Sequence, residues 1–247
     1  MPACSTGVDF ENLLLETEEF NVLKYGYMYN GGGVAIGDIN NDGLPDIYFT
    51  GNMVGSHLYL NQGNLKFKEI AKDAGVFAEG FWNTGTTMAD VNGDGYLDIY
   101  VCRSATRDPK KRKNLLFINN QDLTFSEKAT EYGIDDSGYT TQGSFFDYDR
   151  DGDLDLYVLN HSVQEYAGFG QITSSLKKRN NPSYSDKLYR NDNGRFKDVS
   201  QETGLVSNIL GFGLGIAISD IDNDGWLDIY VSNDYNEQDY LYINNQD

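Results

Sequence analysis

Short apolar runs of about four to seven residues recur along the whole chain, separated by clusters of glycine, asparagine and aspartate. The runs are rich in isoleucine, valine, tyrosine and phenylalanine, a composition typical of β-strands between turns. The first two runs, residues 33–37 and 46–49, flank an aspartate-rich stretch. Helical spacing is rare, and residues 11–19 come closest to it. The pattern therefore predicts an all-β protein.

The runs belong to a unit that is repeated four times. Its aspartate-rich stretches begin at Asp38, Asp90, Asp147 and Asp220. Each is followed by an apolar run ending in asparagine, at Asn61, Asn119, Asn191 and Asn244. In three units a phenylalanine strand and a glycine turn complete the order, at Phe67 and Gly75, Phe125 and Gly133, and Phe196 and Gly204. Four short strands repeated radially describe a β-propeller blade. The constant order of the motifs argues against the alternative, a β-sandwich with acidic loops.

We therefore predict a β-propeller of four-stranded antiparallel blades, with the acidic stretch between strands one and two of each blade. Residues 1–9 are interpreted as an N-terminal leader or tether, and residues 10–247 as the propeller. Two arrangements stay open. In one, a strand containing Phe10 completes the last blade and closes a ring of four. In the other, the four repeats are part of a larger propeller, which the stop after strand three of the last unit favours.

The acidic stretches have the composition of cation sites. Each places side-chain oxygens at positions 1, 3, 5 and 9, with glycine at position 6. Each close carboxylate pair costs on the order of 4 kcal/mol at an effective dielectric constant of 20, so four such clusters need a cation. Many oxygen ligands from one flexible loop suit Ca²⁺ better than Zn²⁺ or Mg²⁺. An EF-hand is excluded because position 12 is phenylalanine or valine in a predicted strand, where an EF-hand has glutamate.

We predict about four Ca²⁺ sites, in which position 7 contributes a backbone carbonyl. The predicted ligands are Asp38, Asn40, Asp42, Leu44 and Asp46 in loop one; Asp90, Asn92, Asp94, Tyr96 and Asp98 in loop two; Asp147, Asp149, Asp151, Asp153 and Asp155 in loop three; and Asp220, Asp222, Asp224, Trp226 and Asp228 in loop four. Loops one and two have asparagine at position 3, so we expect loops three and four to bind more tightly. Asp-Gly turns without a metal are the alternative.

Charge and cysteine content change this picture in two ways. The 38 acidic and 19 basic residues give a net charge of −19, which excludes a broad face for duplex nucleic acid. No apolar stretch is long enough to span a membrane.

Cys4 follows Ala3 as in a processed bacterial lipoprotein, so a lipid anchor at Cys4 is one interpretation. Cys102 lies in a predicted strand and is expected to be a buried free thiol.

The loops, together with the Gly-Phe-Gly-Leu-Gly-Ile-Ala segment at 211–217, resemble the FG-GAP/VCBS repeats of integrin α-chain propellers. Residues 29–35 and 145–153 make the chain similar to bacterial secreted proteins of the cartilage-acidic-protein (ASPIC/UnbV) type. The resemblance covers nearly the whole chain from about Phe10. It implies an extracellular or surface-anchored Ca²⁺-binding propeller, commonly with seven blades. The sequence lacks the metal-dependent ligand domain of integrins, so integrin-type adhesion is not implied.

The predicted topology puts the acidic loops on one face and the longest loops on the other. Nine of the 19 basic residues fall in two of these long loops, which predicts a site for an anionic glycan or peptide. The candidate residues are Arg103, Arg107, Lys177, Lys178 and Arg179, with Trp82, Tyr139 and His161 as aromatic neighbours. Solvated loops and packing between blades are the alternatives.

The leading functional prediction is a non-catalytic binding or adhesion scaffold for a glycan or protein ligand. It is expected to be extracellular, at the cell surface or in the periplasm. The alternative is a glycan-active enzyme resembling propeller polysaccharide lyases. Such an enzyme needs a general base near a cation, and His161 with Arg103 is the pairing that the sequence offers. Fold alone does not separate these two functions.

Overall fold

The computed structural model describes residues 5–163, 176–235 and 237–246. Within them, fifteen strands form four antiparallel sheets, three with four strands and one with three. Sheet one contains β1 (Val34–Gly37), β2 (Asp46–Phe49), β3 (His57–Asn61) and β4 (Phe67–Glu69); sheet two contains β5 (Asn83–Ala89), β6 (Asp98–Arg103), β7 (Leu115–Asn119) and β8 (Phe125–Glu127); sheet three contains β9 (Thr140–Phe146), β10 (Asp155–Asn160), β11 (Lys187–Asn191) and β12 (Phe196–Asp198); sheet four contains β13 (Gly213–Ser219), β14 (Asp228–Asn233) and β15 (Tyr240–Tyr242). Each sheet keeps its strands in sequence order, which confirms the all-β, propeller-like architecture.

Three one-turn helices accompany the strands of the described chain: α1 (Ala71–Ala74), α2 (Pro109–Arg112) and α3 (Ala129–Tyr132). α1 and α3 end at Gly75 and Gly133, whose φ angles of 79° and 81° are left-handed. Glycine adopts this conformation without steric cost, which explains the glycine turn after each phenylalanine strand. The helix-like segment 11–19 contains no helix. It runs against sheet one instead, where the Asn12 amide donates to Asn52.

Successive sheets pack face to face through three apolar cores. A fully buried tyrosine from strand two lies in each core, at Tyr48, Tyr100 and Tyr157. The Tyr48 hydroxyl donates to the Val76 carbonyl at 2.7 Å, and the Tyr100 hydroxyl donates to the Ile134 carbonyl at 3.0 Å. Buried hydroxyls need hydrogen-bond partners. Tyr48 and Tyr100 each donate to a backbone carbonyl in a turn of their own sheet, while their rings fill the space between that sheet and its neighbour.

The innermost strands of the four sheets, β1, β5, β9 and β13, contact one another in turn. Their backbones approach closely because glycine stands at the crossing points. A side chain at Gly85, for example, would place its Cβ 2.4 Å from the Thr141 carbonyl oxygen. These strands border a cavity of about 390 Å³. The four acidic loops leave the other ends of the same strands, which sets the position of the candidate site.

The N-terminal segment packs on sheet one. The Phe10 ring stacks on Phe49 with centroids 5.1 Å apart, and the Tyr59 hydroxyl donates to Asp9 at 2.8 Å. Of the two arrangements left open by the sequence, the one in which Phe10 completes the last blade is not found: Phe10 lies against sheet one, and sheet four has three strands within the described residues. Within the described residues, β15 is an edge strand. Those residues contain no helix long and apolar enough to cross a membrane.

Candidate metal centre

The aspartate at position 9 closes each loop from inside the protein. These residues, Asp46, Asp98, Asp155 and Asp228, are buried. In loop one, Asp46 accepts the N–H of Ile39 at 3.0 Å through Oδ2 and that of Asn61 at 2.7 Å through Oδ1. The same two bonds recur in loops two, three and four. Position 9 therefore ties the start of its loop to strand three of its own sheet.

The asparagine that ends strand three has a second contact with the loop. In sheet one, the Asn61 side-chain amide donates to the Pro45 carbonyl at 2.8 Å, directly before position 9. The equivalent amides donate to Leu97, Leu154 and Leu227 in the other sheets. The recurrence of this asparagine in all four units was a sequence signal that it has a role. The role could not be assigned from spacing alone, because the carbonyl that accepts its hydrogen bond lies in a different part of the unit.

The aspartate at position 1 organises the turn. In loop one, Asp38 accepts the N–H of Asp42 at 3.1 Å and that of Gly43 at 2.7 Å. Loops two and four repeat both bonds. The glycine at position 6 has a left-handed φ in every loop, which no β-branched residue adopts readily. The backbone thus curls around the carboxylates and holds them close together.

Loop three differs from the others in having carboxylate oxygens that are buried but unpartnered. Among the described residues these are the Oδ1 atoms of Asp147, Asp149 and Asp153. In loops one and two the asparagine at position 3 donates to the aspartate at position 5, as Asn40 does to Asp42 at 3.0 Å. Buried oxygens without donors are costly, and a cation could serve as the missing partner.

Loops three and four each bring three carboxylates together. The carboxylate oxygens of positions 1, 3 and 5 lie within 4.8 Å of one another in each of these two loops. Such exclusively oxygen donor sets fit Ca²⁺, which takes six to eight oxygens. Positions 1, 3 and 5 of loops three and four are therefore residues that could hold an ion, and the roles of positions 7 and 9 as ligands stay predictions.

Burial raises the pKa of Asp98 to about 6 and that of Asp155 to about 7. Desolvation disfavours their charged forms more strongly than the two N–H donors favour them. The pKa of Asp149 is also raised, by desolvation and then by repulsion from Asp151. A divalent cation favours the ionised forms, so metal binding and proton release are coupled in these loops.

The structure encloses most of the aromatic candidates for the ligand face. Trp82, Tyr139 and His161 are buried, and Trp82 packs against Tyr25 with ring centroids 5.6 Å apart. His161 Nε2 lies 2.9 Å from the Ser104 hydroxyl, while its Nδ1 donates to the Ser162 carbonyl. Burial lowers the pKa of His161 to about 4. Trp82 and His161 contact the protein's own N-terminal segment through Tyr25, and Tyr139 packs against His161 and Tyr184.

The basic candidates fall into two groups. Arg103 is buried, and its Nε donates to Asn83 at 3.1 Å while its guanidinium stacks on Phe81. Lys177 is exposed but pairs with Glu237 at 3.0 Å. The remaining candidates, Arg107, Lys178 and Arg179, are exposed and form no ion pair with a described residue. The nominated catalytic pairing of His161 with Arg103 is therefore enclosed.

One basic residue of the first loop, Arg112, has a structural role that the sequence did not single out. Arg112 is buried, stacks on Tyr139 at 3.9 Å, and donates to the Ser137 carbonyl. The Tyr139 N–H in turn donates to Ser183 of the second loop. Residues 164–175 of that loop, and Cys4, lie outside the described residues. Cys102 is a buried free thiol, as expected.

The sheets and loops define a propeller-like protein built from repeated acidic hairpins. The FG-GAP-like repeat family matches residues 38–101, 105–158 and 178–231. These segments cover more than half of the chain, so the chain belongs to the FG-GAP-like repeat family. This confirms the resemblance derived from the loops.

The chain is also similar to cartilage acidic protein 1 from several vertebrates. It is 28% identical to the Xenopus tropicalis protein over 208 residues, which are 83% of this chain and 29% of that protein. Identity to the Mus musculus protein is 31% over 138 residues, or 53% of this chain and 21% of that protein. Identity to the Homo sapiens protein is 32% over 138 residues, or 53% and 20%. The chain thus spans less than a third of the length of these relatives.

Proposed function

We propose that this protein is an extracellular, calcium-stabilised binding scaffold whose four acidic loops each hold one Ca²⁺ ion. The observation that carries the proposal is the set of three unpartnered carboxylate oxygens in loop three. A cation in loop three would partner the oxygens of Asp147 and Asp149, which cluster with Asp151. When bound, Ca²⁺ supplies positive charge and accepts six to eight oxygen ligands. The chain's own residues orient the carboxylates and connect each loop to the sheets.

The proposal is tested by thermal unfolding with EGTA, with excess Ca²⁺ and with excess Mg²⁺. A ligand at 100 times its Kd adds about 2.7 kcal/mol per site to the free energy of unfolding. We therefore expect a large rise in Tm with Ca²⁺ and a much smaller one with Mg²⁺, which retains its waters. Identical unfolding curves in EGTA and Ca²⁺ would refute the metal assignment.

For the ligand, we propose an anionic glycan at the exposed basic residues Arg107, Lys178 and Arg179, on the face opposite the metal loops. Their positive charges stand out in a chain of net charge −19. We also propose the extracellular location and the lipid anchor at Cys4, and none of these three properties is taken from the relatives. A protein ligand at the same basic residues is the alternative.

Binding to immobilised heparin, a sulfated glycan, tests the ligand proposal. We expect the triple variant R107A/K178A/R179A to lose binding, and wild-type binding to weaken with salt because exposed charges are screened. The matched control is K68A/R195A/K197A, which removes three exposed positive charges elsewhere. Equal binding by both triple variants and the wild type would refute the site, and equal loss in both would indicate attraction by overall charge only.

A further inference from the structure

The fourth position of each acidic loop has no place among the predicted ligands. It is occupied by Asn41, Gly93, Arg150 and Asn223, all with a left-handed φ. The Asn41 amide donates to the Gly95 carbonyl of loop two at 2.9 Å. The Arg150 guanidinium lies over the ring of Trp226 in loop four, 5.3 Å from its centroid. These contacts join loop one to loop two and loop three to loop four.

A second set of contacts joins the same loops. The side-chain amide of Asn119, at the end of β7, donates to the Ile39 carbonyl of loop one at 2.8 Å. The amide of Asn244 donates to the Tyr148 carbonyl of loop three, also at 2.8 Å. The backbone N–H groups of Asn119 and Asn244 hold the position 9 carboxylates of loops two and four. Each asparagine therefore connects its own loop with the loop of the preceding sheet.

Both kinds of contact are missing between loops two and three within the described residues. Gly93 has no side chain to extend, and a Cβ built on it would meet nothing within 4 Å. The Asn191 amide, which corresponds to Asn119 and Asn244, donates to Leu154 of its own loop at 3.1 Å. Two independent positions thus divide the four loops into the same two pairs.

We propose that Ca²⁺ binds these loops as two coupled pairs, loops one and two and loops three and four, with no coupling between loops two and three. This inference rests on the proposed calcium function. Gly95 precedes Tyr96, whose carbonyl is a predicted ligand, so Asn41 positions a ligand-bearing segment of the neighbouring loop. An ion that orders one loop lowers the cost of ordering its linked neighbour, and the effect is reciprocal. Asn41 and Arg150 are positioning residues.

Trp226, at position 7 of loop four, provides a fluorescence reporter for the test. Loop three is disabled by D151A, and the Ca²⁺ midpoint is read from Trp226. The matched reporter for loop two is Y96W in a W226Y background, at the same position 7. We expect D151A to raise the midpoint at loop four about fivefold or more, the usual minimum for a coupled pair. We expect the midpoint at loop two to stay unchanged. W226F gives the background from Trp82.

The link itself is tested by R150G, which keeps the left-handed backbone accessible. R150G should reduce the effect of D151A on loop four, R150K should retain part of it, and N41G should leave it unchanged. Occupancy of loop four is measured independently as the calorimetric difference between D151A and D151A/D224A, because loop three is disabled in both variants. Calorimetry therefore reports binding at loop four even if the fluorescence of Trp226 does not respond to Ca²⁺.

Equal midpoint shifts at loops two and four, or none at loop four, would overturn the pairing even when Ca²⁺ binds. Failure of R150G to change the coupling would overturn the role of Arg150. An absence of any Ca²⁺ uptake by calorimetry is a different result, because it contradicts the proposed calcium function.

Discussion

Replacing Asp149 by asparagine gives loop three the position 3 residue of loops one and two. In those loops the amide donates to position 5, with Asn40 and Asp42 3.0 Å apart. The variant therefore removes one charge from the cluster and provides a donor for Asp151. Without calcium both changes favour the folded state. With calcium, the same change removes one ionised ligand.

The magnitude follows from the spacing of the cluster. Its carboxylate oxygens lie within 4.8 Å of one another. At an effective dielectric constant of 20, one such pair repels by about 3.5 kcal/mol. The loop is largely solvent-accessible, so solvent screening reduces this to about 1 kcal/mol of stability. We expect D149N to raise the free energy of unfolding by that amount in EGTA, and to weaken calcium binding at loop three at least about tenfold, or 1.4 kcal/mol.

The assay is urea unfolding in EGTA and in excess Ca²⁺, with calorimetric calcium titration of the same samples. The control is N40D in loop one, the reverse substitution, for which both signs should invert. If D149N is less stable than the wild type in EGTA and has an unchanged calcium increment, the electrostatic account of loop three is wrong.

Three other perturbations test the framework around the loops. D98A leaves two buried N–H donors without an acceptor, so it should lower the free energy of unfolding by on the order of 3 kcal/mol in EGTA, measured with urea. A loss below about 0.5 kcal/mol would contradict the role of Asp98 in closing loop two. G85A forces a Cβ against Thr141, so it should lower the free energy of unfolding by on the order of 2 kcal/mol or prevent folding. A variant as stable as the wild type would show that the inner strands are less tightly packed than described. His161 has a folded pKa of about 4 against an ordinary 6.5, so the unfolded chain takes up the proton first as pH falls. The wild type should therefore lose stability relative to H161Q between about pH 6.5 and pH 4, by up to about 3 kcal/mol, and parallel pH profiles in EGTA would refute this.

Several parts of the fold and site could be predicted from the sequence because they depend on local order. The strands around loop one, the glycine turns at Gly75 and Gly133, and the buried thiol of Cys102 all follow from residues close together in the chain. Side-chain alternation and left-handed glycines act over a few residues, so pattern alone specified them. The nine-residue spacing of the acidic loops likewise places the carboxylates of one loop near one another in the chain, although contacts with strand three hold the loop in place.

Tertiary structure alone decided what covers each surface and which loops touch. Phe10 and the enclosed His161 are examples, because the partners of both side chains lie far away in the sequence. The link from Asn41 to loop two also depends on how sheets one and two pack against each other. Local pattern fixes the direction in which a residue points within its own hairpin. Which residue it then contacts is decided by the packing between sheets. That packing depends on many weak contacts between residues far apart in the sequence.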